Sequence, residues 1–267
     1  MRISVITINY NNLEGLRLTM DSVLNQQDCS FEYIVIDGGS TDGSRELIES
    51  VADRLTYWVS EPDKGIFNAM NKGIKVAQGE YSIFMNSGDR LANSTVLKRA
   101  AEQLTGKDFY TGHLATLGNE SDVISAPTHI TAYSLVRFPL SHQATFIRTE
   151  LLKQRPYRDE YRLICDWEQM VYELLLNNRT YAALDFVVAH YDRSGVSSQP
   201  QHAARYETER KEAIEQLFPP RIWEAMMGGT SLERKCLHAF TQTPLKRDFK
   251  LLRNVFKSLM HDLFHKN

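Results

Sequence analysis

Apolar residues fall along the first hundred positions in two alternating rhythms. Short β-branched runs at 3–8, 31–36, 55–59 and 81–85 read as buried strands. The stretches between them carry helical spacing. Asn11 or Asn12 can cap a helix running to Gln26, with Leu13, Leu16, Met20, Val23 and Leu24 on one face. Ser40-Thr41-Asp42-Gly43 makes a turn and cap before a helix around 47–52. A helix over 65–77 turns Ile66, Ala69, Met70 and Ile74 inward, and another covers 95–104. This alternation predicts an α/β fold, a mostly parallel sheet with helices on both faces. Ligands of such sheets bind outside the carboxyl ends of the strands. Asn9-Tyr10, Asp37-Gly38-Gly39, Ser60-Glu61-Pro62-Asp63 and Asn86-Ser87-Gly88-Asp89 are therefore expected to converge on one cleft.

Beyond residue 105 the rhythm loosens. Residues 109–117 and 122–125 read as extended, 167–176 as helix, 181–191 as strand and 194–202 as a polar loop. Residues 201–217 and 245–264 read as amphipathic helices. A first half at 1–105, a second at 106–200 and a helical extension at 201–267 follow from that change. The 267 residues allow one large domain with a smaller appendage, and 42% hydrophobic content supports a true core. With 31 Lys plus Arg against 33 Asp plus Glu, the chain lacks the basic excess of a nucleic-acid binder. Cys29, Cys165 and Cys236 form no CxxC pair and read as reduced thiols. The amino terminus runs straight into a strand without a signal-peptide pattern, and no window approaches a spanning helix. A cytoplasmic location is expected.

The strand-end segments are rich in groups that bind anions and sugars. Asp37 closes an apolar run before two glycines. Its carboxylate suits the imide N–H of a pyrimidine or guanine, or equally a helix-capping turn. In SEPDKGIFNAMNKGI (60–74), Asp63 suits a sugar hydroxyl or ribose. Lys64, Asn68, Asn71 and Lys72 surround a helix start, where free N–H groups favour anions; for Lys72 a solvated surface role is preferred. In NSGD (86–89), Gly88 lets the backbone turn close to a diphosphate. Asp89 offers the carboxylate that Mg2+ or Mn2+ commonly shares with phosphates.

Taken together, DGGSTDGS (37–44), SEPDKGIFNAMNKGI (60–74) and GEYSIFMNSGD (79–89) resemble the family 2 inverting glycosyltransferases of the GT-A fold. The nearest likeness is to enzymes building bacterial capsular, exopolysaccharide and colanic-acid repeat units. The match is dense over 1–100 and looser over 135–197. The resemblance implies Thr7, Asn9 and Tyr10 near the base, Asp37 holding it, and Asp63 and Lys64 near the ribose, diphosphate or donor sugar. Asn68 and Asn71 join that donor set. NSGD then stands for the DXD motif, with Asn86, Ser87 and Gly88 at the donor and Asp89 as metal ligand. A neutral residue holds the first acid's place, which weakens the expectation of strict metal dependence.

In LICDWE (163–168), Asp166 matches the family's general base and Cys165 replaces the acid before it. An inverting displacement needs one carboxylate there to take the proton of the attacking hydroxyl. Asp166 also reads as a cap for the following helix. His142 and Gln143 in SHQATF, with Trp167, are expected at the acceptor. His142 could orient the acceptor, the base or a phosphate. His190, Arg193 and Ser197 in AHYDRSGVS resemble the loop over the donor diphosphate, though His190 reads better as a strand residue. The expected partners are a nucleotide-sugar, UDP-linked by best match, and a glycan or polyprenyl-diphosphate-linked acceptor.

The tail at 244–267 sets six Lys and Arg against Asp248 and Asp262 along an apolar face. Such a helix suits peripheral contact with the inner face of the plasma membrane, or packing on its own domain or a partner subunit in a homo-oligomer. Against the enzyme stands a catalytically degenerate, nucleotide-sugar-binding partner subunit. A Rossmann dehydrogenase is disfavoured, because NYNN rather than GxGxxG follows the first strand. A sugar-1-phosphate nucleotidyltransferase would need a Gly-rich loop at that point.

Overall fold

The computed structural model describes residues 3–158, 160–192, 200–220 and 222. The chain forms two compact units, Met1–Lys211 and Glu212–Asn267. In the first, β1 (Ile3–Asn9), β2 (Glu32–Asp37), β3 (Tyr57–Ser60) and β4 (Tyr81–Phe84) alternate with α1 (Leu13–Leu24), α2 (Ser44–Ser50) and α3 (Ile66–Val76). Then follow β5 (Arg90–Leu91), α4 (Val96–Gln103), β6 (Phe109–Thr116), β7 (Asn119–Ile124), α5 (Ala132–Arg137), β8 (Thr145–Arg148) and α6 (Thr149–Gln154). The chain continues through α7 (Cys165–Val171), β9 (Tyr181–Tyr191) and α8 (Ala203–Leu217), which crosses into the second unit. Described residues of the second unit complete α8, where Phe218 N–H reaches Ile214 O at 2.9 Å. Arg193, Ser197 and the tail at 244–267 lie outside the described residues.

Among the described residues the strands form one nine-stranded sheet, ordered β3-β2-β1-β4-β8-β6-β9-β5 with β7 on β6. The expected parallel pairing holds for β3, β2, β1 and β4. Past β4 the sheet is mixed: β8 is antiparallel to β4 and β6, while β9 is parallel to β6. Short antiparallel strands such as β8 carry too little periodic sequence to stand out, and neither α5, β8 nor α6 was expected.

Strand alternation sorts the core into two faces. Ile3 and Val5 join Tyr33, Val35 and Ile83 against Leu16, Met20 and Val23 of α1 and Val96, Leu97 and Ala100 of α4. Ile6 and Ile36 face α3 instead. A β-carbon on Gly73 of α3 would stand 2.5 Å from Ile6 Cγ2 and 3.6 Å from Ile36 Cγ1. Ile66, expected inward, is 36% exposed, because it starts α3 at the open strand ends. Asn12 caps α1 as expected, accepting Gly15 N–H at 3.1 Å.

The fit of α3 on β1 is testable at Gly73. Helix propensity alone would make alanine better by about 1 kcal/mol. The clash with Ile6 outweighs it, so Gly73→Ala should lower stability by about 1–3 kcal/mol in urea unfolding. A stabilised variant would contradict this packing.

Candidate active site

The four parallel strands bring their carboxyl ends side by side. Asn9 lies opposite Asp37, and Asp37 opposite Ser60. The β1 ladder runs past β4, with Met85 N–H on Ile6 O at 2.9 Å and Ser87 N–H on Ile8 O at 3.0 Å. NSGD thus continues along the end of β1, and the expected convergence holds.

Asp37 is fully buried. Its Oδ1 accepts Asn9 Nδ2 at 2.8 Å and Ser40 Oγ at 2.5 Å. Its Oδ2 accepts Ser60 Oγ at 2.6 Å, Ser40 N at 2.9 Å and Gly39 N at 3.2 Å. Burial alone would raise its pKa; the bonds from Ser40, Ser60 and Asn9 outweigh it and hold the carboxyl below its ordinary value. Five donors saturate a group with about four acceptor sites. Asp37 therefore builds the loop rather than presenting a free carboxylate to a base. Asn9 is 4% exposed, and its Nδ2 serves the same knot. Tyr10, the next residue, is 67% exposed at the mouth of the cleft.

A buried threonine shapes NSGD. Thr19 Oγ1, on the inward face of α1, accepts Gly88 N–H at 2.9 Å and donates to Asp89 O at 2.7 Å. Asn12 Nδ2 adds a bond to Ser87 O at 3.1 Å. Gly88 takes φ +109°, which side chains disfavour. Asp89 is 4% exposed, and its Oδ1 accepts the N–H of Asp192 at 2.9 Å. Burial pushes its pKa up to about 6, against the bond from Asp192 N–H, the charge of His142 and a bond from Gln143.

The other half of the site arrives from α7 and the short 3-10 turn His142–Ala144. His142 Nδ1 meets Asp166 Oδ2 at 2.7 Å, and its Nε2 meets Asn86 Nδ2 at 3.1 Å. A carboxylate at Nδ1 requires the proton there. In the neutral ring, Nε2 then accepts from the Asn86 amide. Burial would lower the His142 pKa, but the bond and charge of Asp166 raise it above its ordinary value. Asp166 stands in the first turn of α7, its Oδ1 accepting Trp167 N–H at 2.9 Å. Glu209 of α8 fixes the approach to this turn, accepting Arg162 N–H at 3.0 Å and Leu163 N–H at 2.9 Å. The NSGD segment, histidine and carboxylate thus form one chain, Asn86–His142–Asp166.

Residues 4–160 match the family described as Glycosyl transferase family 2. The chain belongs to that family. The uncharacterized glycosyltransferase Rv1514c of Mycobacterium tuberculosis is 32% identical over 211 residues, 76% of this chain and 79% of that one. A PGL/p-HBAD biosynthesis glycosyltransferase of Mycobacterium bovis is 30% identical over 176 residues, 62% of this chain and 66% of the relative. In fold, S. aureus TarS 1-349 in complex with UDP-GlcNAc superposes with TM-score 0.64 and 18% identity, covering 98% of this chain and 81% of that one. The Pyrobaculum calidifontis mannosyltransferase PcManGT, in complex with GDP-Man and Mn2+, gives 0.60 and 15%, covering 99% and 81%. The protein is a family 2 glycosyltransferase with the GT-A fold.

Within this glycosyltransferase several expected site residues serve the scaffold. Thr7 shares the parity of Ile3 and Val5, so it points into the α1-side core, fully buried, with its hydroxyl 3.1 Å from Tyr33 OH. Asn71 spends its amide on Tyr157, donating to the carbonyl at 2.7 Å and accepting the N–H at 2.9 Å. Trp167, expected at the acceptor, is 2% exposed and ties α7 to α5 through Nε1–H on Leu135 O at 2.9 Å. Gln143, expected at the acceptor, is buried and bonds Asp89. Asn68 Oδ1 accepts Lys64 N–H at 3.3 Å, while Lys64 itself is exposed at the cleft. His190 lies in β9 opposite Arg90, the strand role preferred for it. Cys165 is buried and donates to Arg158 O at 2.8 Å; burial pushes its thiol pKa far up, so it cannot act as the missing acid. Ser60 lies in an expected strand-end segment, Ser40 in an expected turn and Asp192 in the AHYDRSGVS segment, while Thr19 reads in the sequence as one more position of the first helix.

Asp89 gives a signed test. Folded, it holds its proton to about pH 6; unfolded, to about pH 4. Between these values the folded state binds more protons. The associated stability is full below about pH 4 and lost as pH rises through 6. In metal-free protein at pH 7.5, Asp89→Asn should be more stable than wild type by about 1–3 kcal/mol in urea unfolding. The gap should close at pH 4. Equal stability at pH 7.5 would contradict the buried, ionised carboxylate.

Proposed function

We propose that this glycosyltransferase moves a sugar, with inversion, from a UDP-linked donor to a hydroxyl of a glycan or polyprenyl-diphosphate-linked acceptor in bacterial surface polysaccharide synthesis. One observation carries the catalytic part of the reading: His142 joins Asn86 of the donor-side segment to Asp166 through bonds of 3.1 and 2.7 Å. The chain has the reach to serve both ends of a direct displacement. The names of the relatives support the donor and the setting. TarS was solved with UDP-GlcNAc, and the M. bovis relative is named for PGL/p-HBAD biosynthesis.

In the proposed step the acceptor oxygen attacks the anomeric carbon from the face opposite the diphosphate. Asp166 takes the hydroxyl proton as the new C–O bond forms. The bond to the diphosphate breaks, and its electron pair leaves on the phosphate oxygen. His142, bonded through Nδ1–H, fixes the Asp166 carboxylate and leaves Oδ1 on the backbone of its own helix. Tyr10, Asp63, Lys64, Asn68, Asn86, Ser87 and Gly88 are the proposed donor contacts, with Asn9 behind them.

Among the described residues no group of three or more His, Cys, Asp or Glu gathers as a metal cage. Two acids do come near one another, close enough for the charge of Asp192 to act on Asp89. Asp192 donates its N–H to Asp89, and its Oδ2 lies 2.9 Å from where a β-carbon on Gly88 would stand. Two acids flanking a glycine suit Mn2+ or Mg2+ that takes its other ligands from a diphosphate. Such a cation, held by Asp89 with Asp192, would neutralise charge on the leaving group. Gln143 keeps Asp89 in place.

Asp166→Asn keeps the shape and removes the proton acceptor. Sugar transfer should fall by about 10²- to 10⁴-fold in kcat, with UDP affinity unchanged by calorimetry. Turnover by the variant at the wild-type rate would overturn Asp166 as base. Absence of transfer by wild type from any nucleotide-sugar would favour the degenerate partner instead.

A further inference from the structure

Gly38 is a glycine without a conformational reason. Its neighbour Gly39 takes φ +81°. The backbone at Gly38 is open to any residue, since no positive φ is found there. What forbids a side chain is Asp63: a β-carbon on Gly38 would stand 2.6 Å from Asp63 Oδ2 and 3.1 Å from Tyr10 Cδ2. The carboxylate of the EPDKG loop fills the space that a side chain at 38 would occupy, beside the most exposed aromatic ring of the cleft.

That placement is built rather than accidental. Glu61 N–H bonds Asp37 O at 3.0 Å, pinning the loop to the end of β2. Lys72 holds it from α3, with Nζ on Pro62 O at 3.0 Å and on Glu61 at 2.8 Å. Asp63 Oδ1 accepts Gly65 N–H at 2.7 Å. Among the described residues no hydrogen bond reaches its Oδ2. Asp37, one residue before Gly38, is sealed by five donors. Of the two acids at this strand end, only Asp63 has an acceptor left to offer.

We infer that Asp63, seated over Gly38 and beside Tyr10, is the residue that reads the donor's base, accepting the imide N–H of a uracil- or guanine-type ring. The inference rests on the nucleotide-sugar reading above and moves the base contact from Asp37 to a different loop. The chemistry selects a class. A carboxylate accepts from a ring N–H but repels the ring lone pair that cytosine presents at the same edge. UDP is therefore bound and CDP rejected.

The test measures nucleotide binding by calorimetry with the full chain, using UDP, CDP and UDP methylated at N3 of the base. N3-methylation removes the N–H without touching ribose or diphosphate. Wild type should bind UDP about 10- to 100-fold more tightly than either analogue, the scale of one hydrogen bond to a charged group. Asp63→Ala should erase that preference while leaving the methylated nucleotide's affinity unchanged. Gly38→Ala should act likewise by pushing Oδ2 aside. Gly38→Asp combined with Asp63→Ala should regain part of the preference, because the carboxylate returns to the same space. Equal binding of UDP and the methylated analogue by wild type would overturn the inference. So would an equal loss of both in Asp63→Ala, which would mark a ribose or phosphate contact. Wild type that binds no nucleotide would overturn the donor reading itself, and this inference with it.

Discussion

The saturated carboxylate of Asp37 is the constraint on which the site depends. A buried negative charge is tolerated only where donors replace water. Here the donors come from three places, Asn9 on β1, the Gly39–Ser40 turn and Ser60 on β3. Meeting that demand holds three strand ends and their loops in one arrangement. Loss of any donor leaves the charge less covered. The knot ties the strand ends together and uses up the acceptor sites of Asp37.

The acceptor side is organised by a parallel economy of partners. Residues 142 and 166 come from different elements, and each spends one atom on the other. The second atom of each reaches outward: His142 to Asn86, Asp166 to its own helix start. The neutral amide at 86 gains a purpose in this arrangement. It bonds to His142 without adding a second negative charge beside Asp89, which burial already makes costly to ionise. Asp192, just past the end of β9, comes to Asp89 through its backbone N–H.

Much of the donor half was legible in the sequence. The runs at 3–8, 31–36, 55–59 and 81–85 became β1 to β4 nearly as read, because their periodicity is local and their register parallel. The ligand end of the sheet followed from that order. The roles within it did not follow. Thr7 and Tyr10 lie three residues apart, yet one is sealed against Tyr33 and the other stands in solvent. Trp167 and Asn71 sit inside motifs and still serve packing, since motif position does not say which way a side chain turns.

The sequence by itself determined the alternation of strand and helix, the family, and the positions at which chemistry gathers, because each of these is written in spacing along the chain. Only the tertiary structure decided which carboxylates are free. Asp37 lost its lone pairs to donors as distant as Ser60. Asp166 gained a histidine 24 residues away, and Asp89 an acidic neighbour 103 residues away. Hydrogen-bond saturation is a property of groups assembled by the order of the sheet, and that order past β4 is set by non-local pairing.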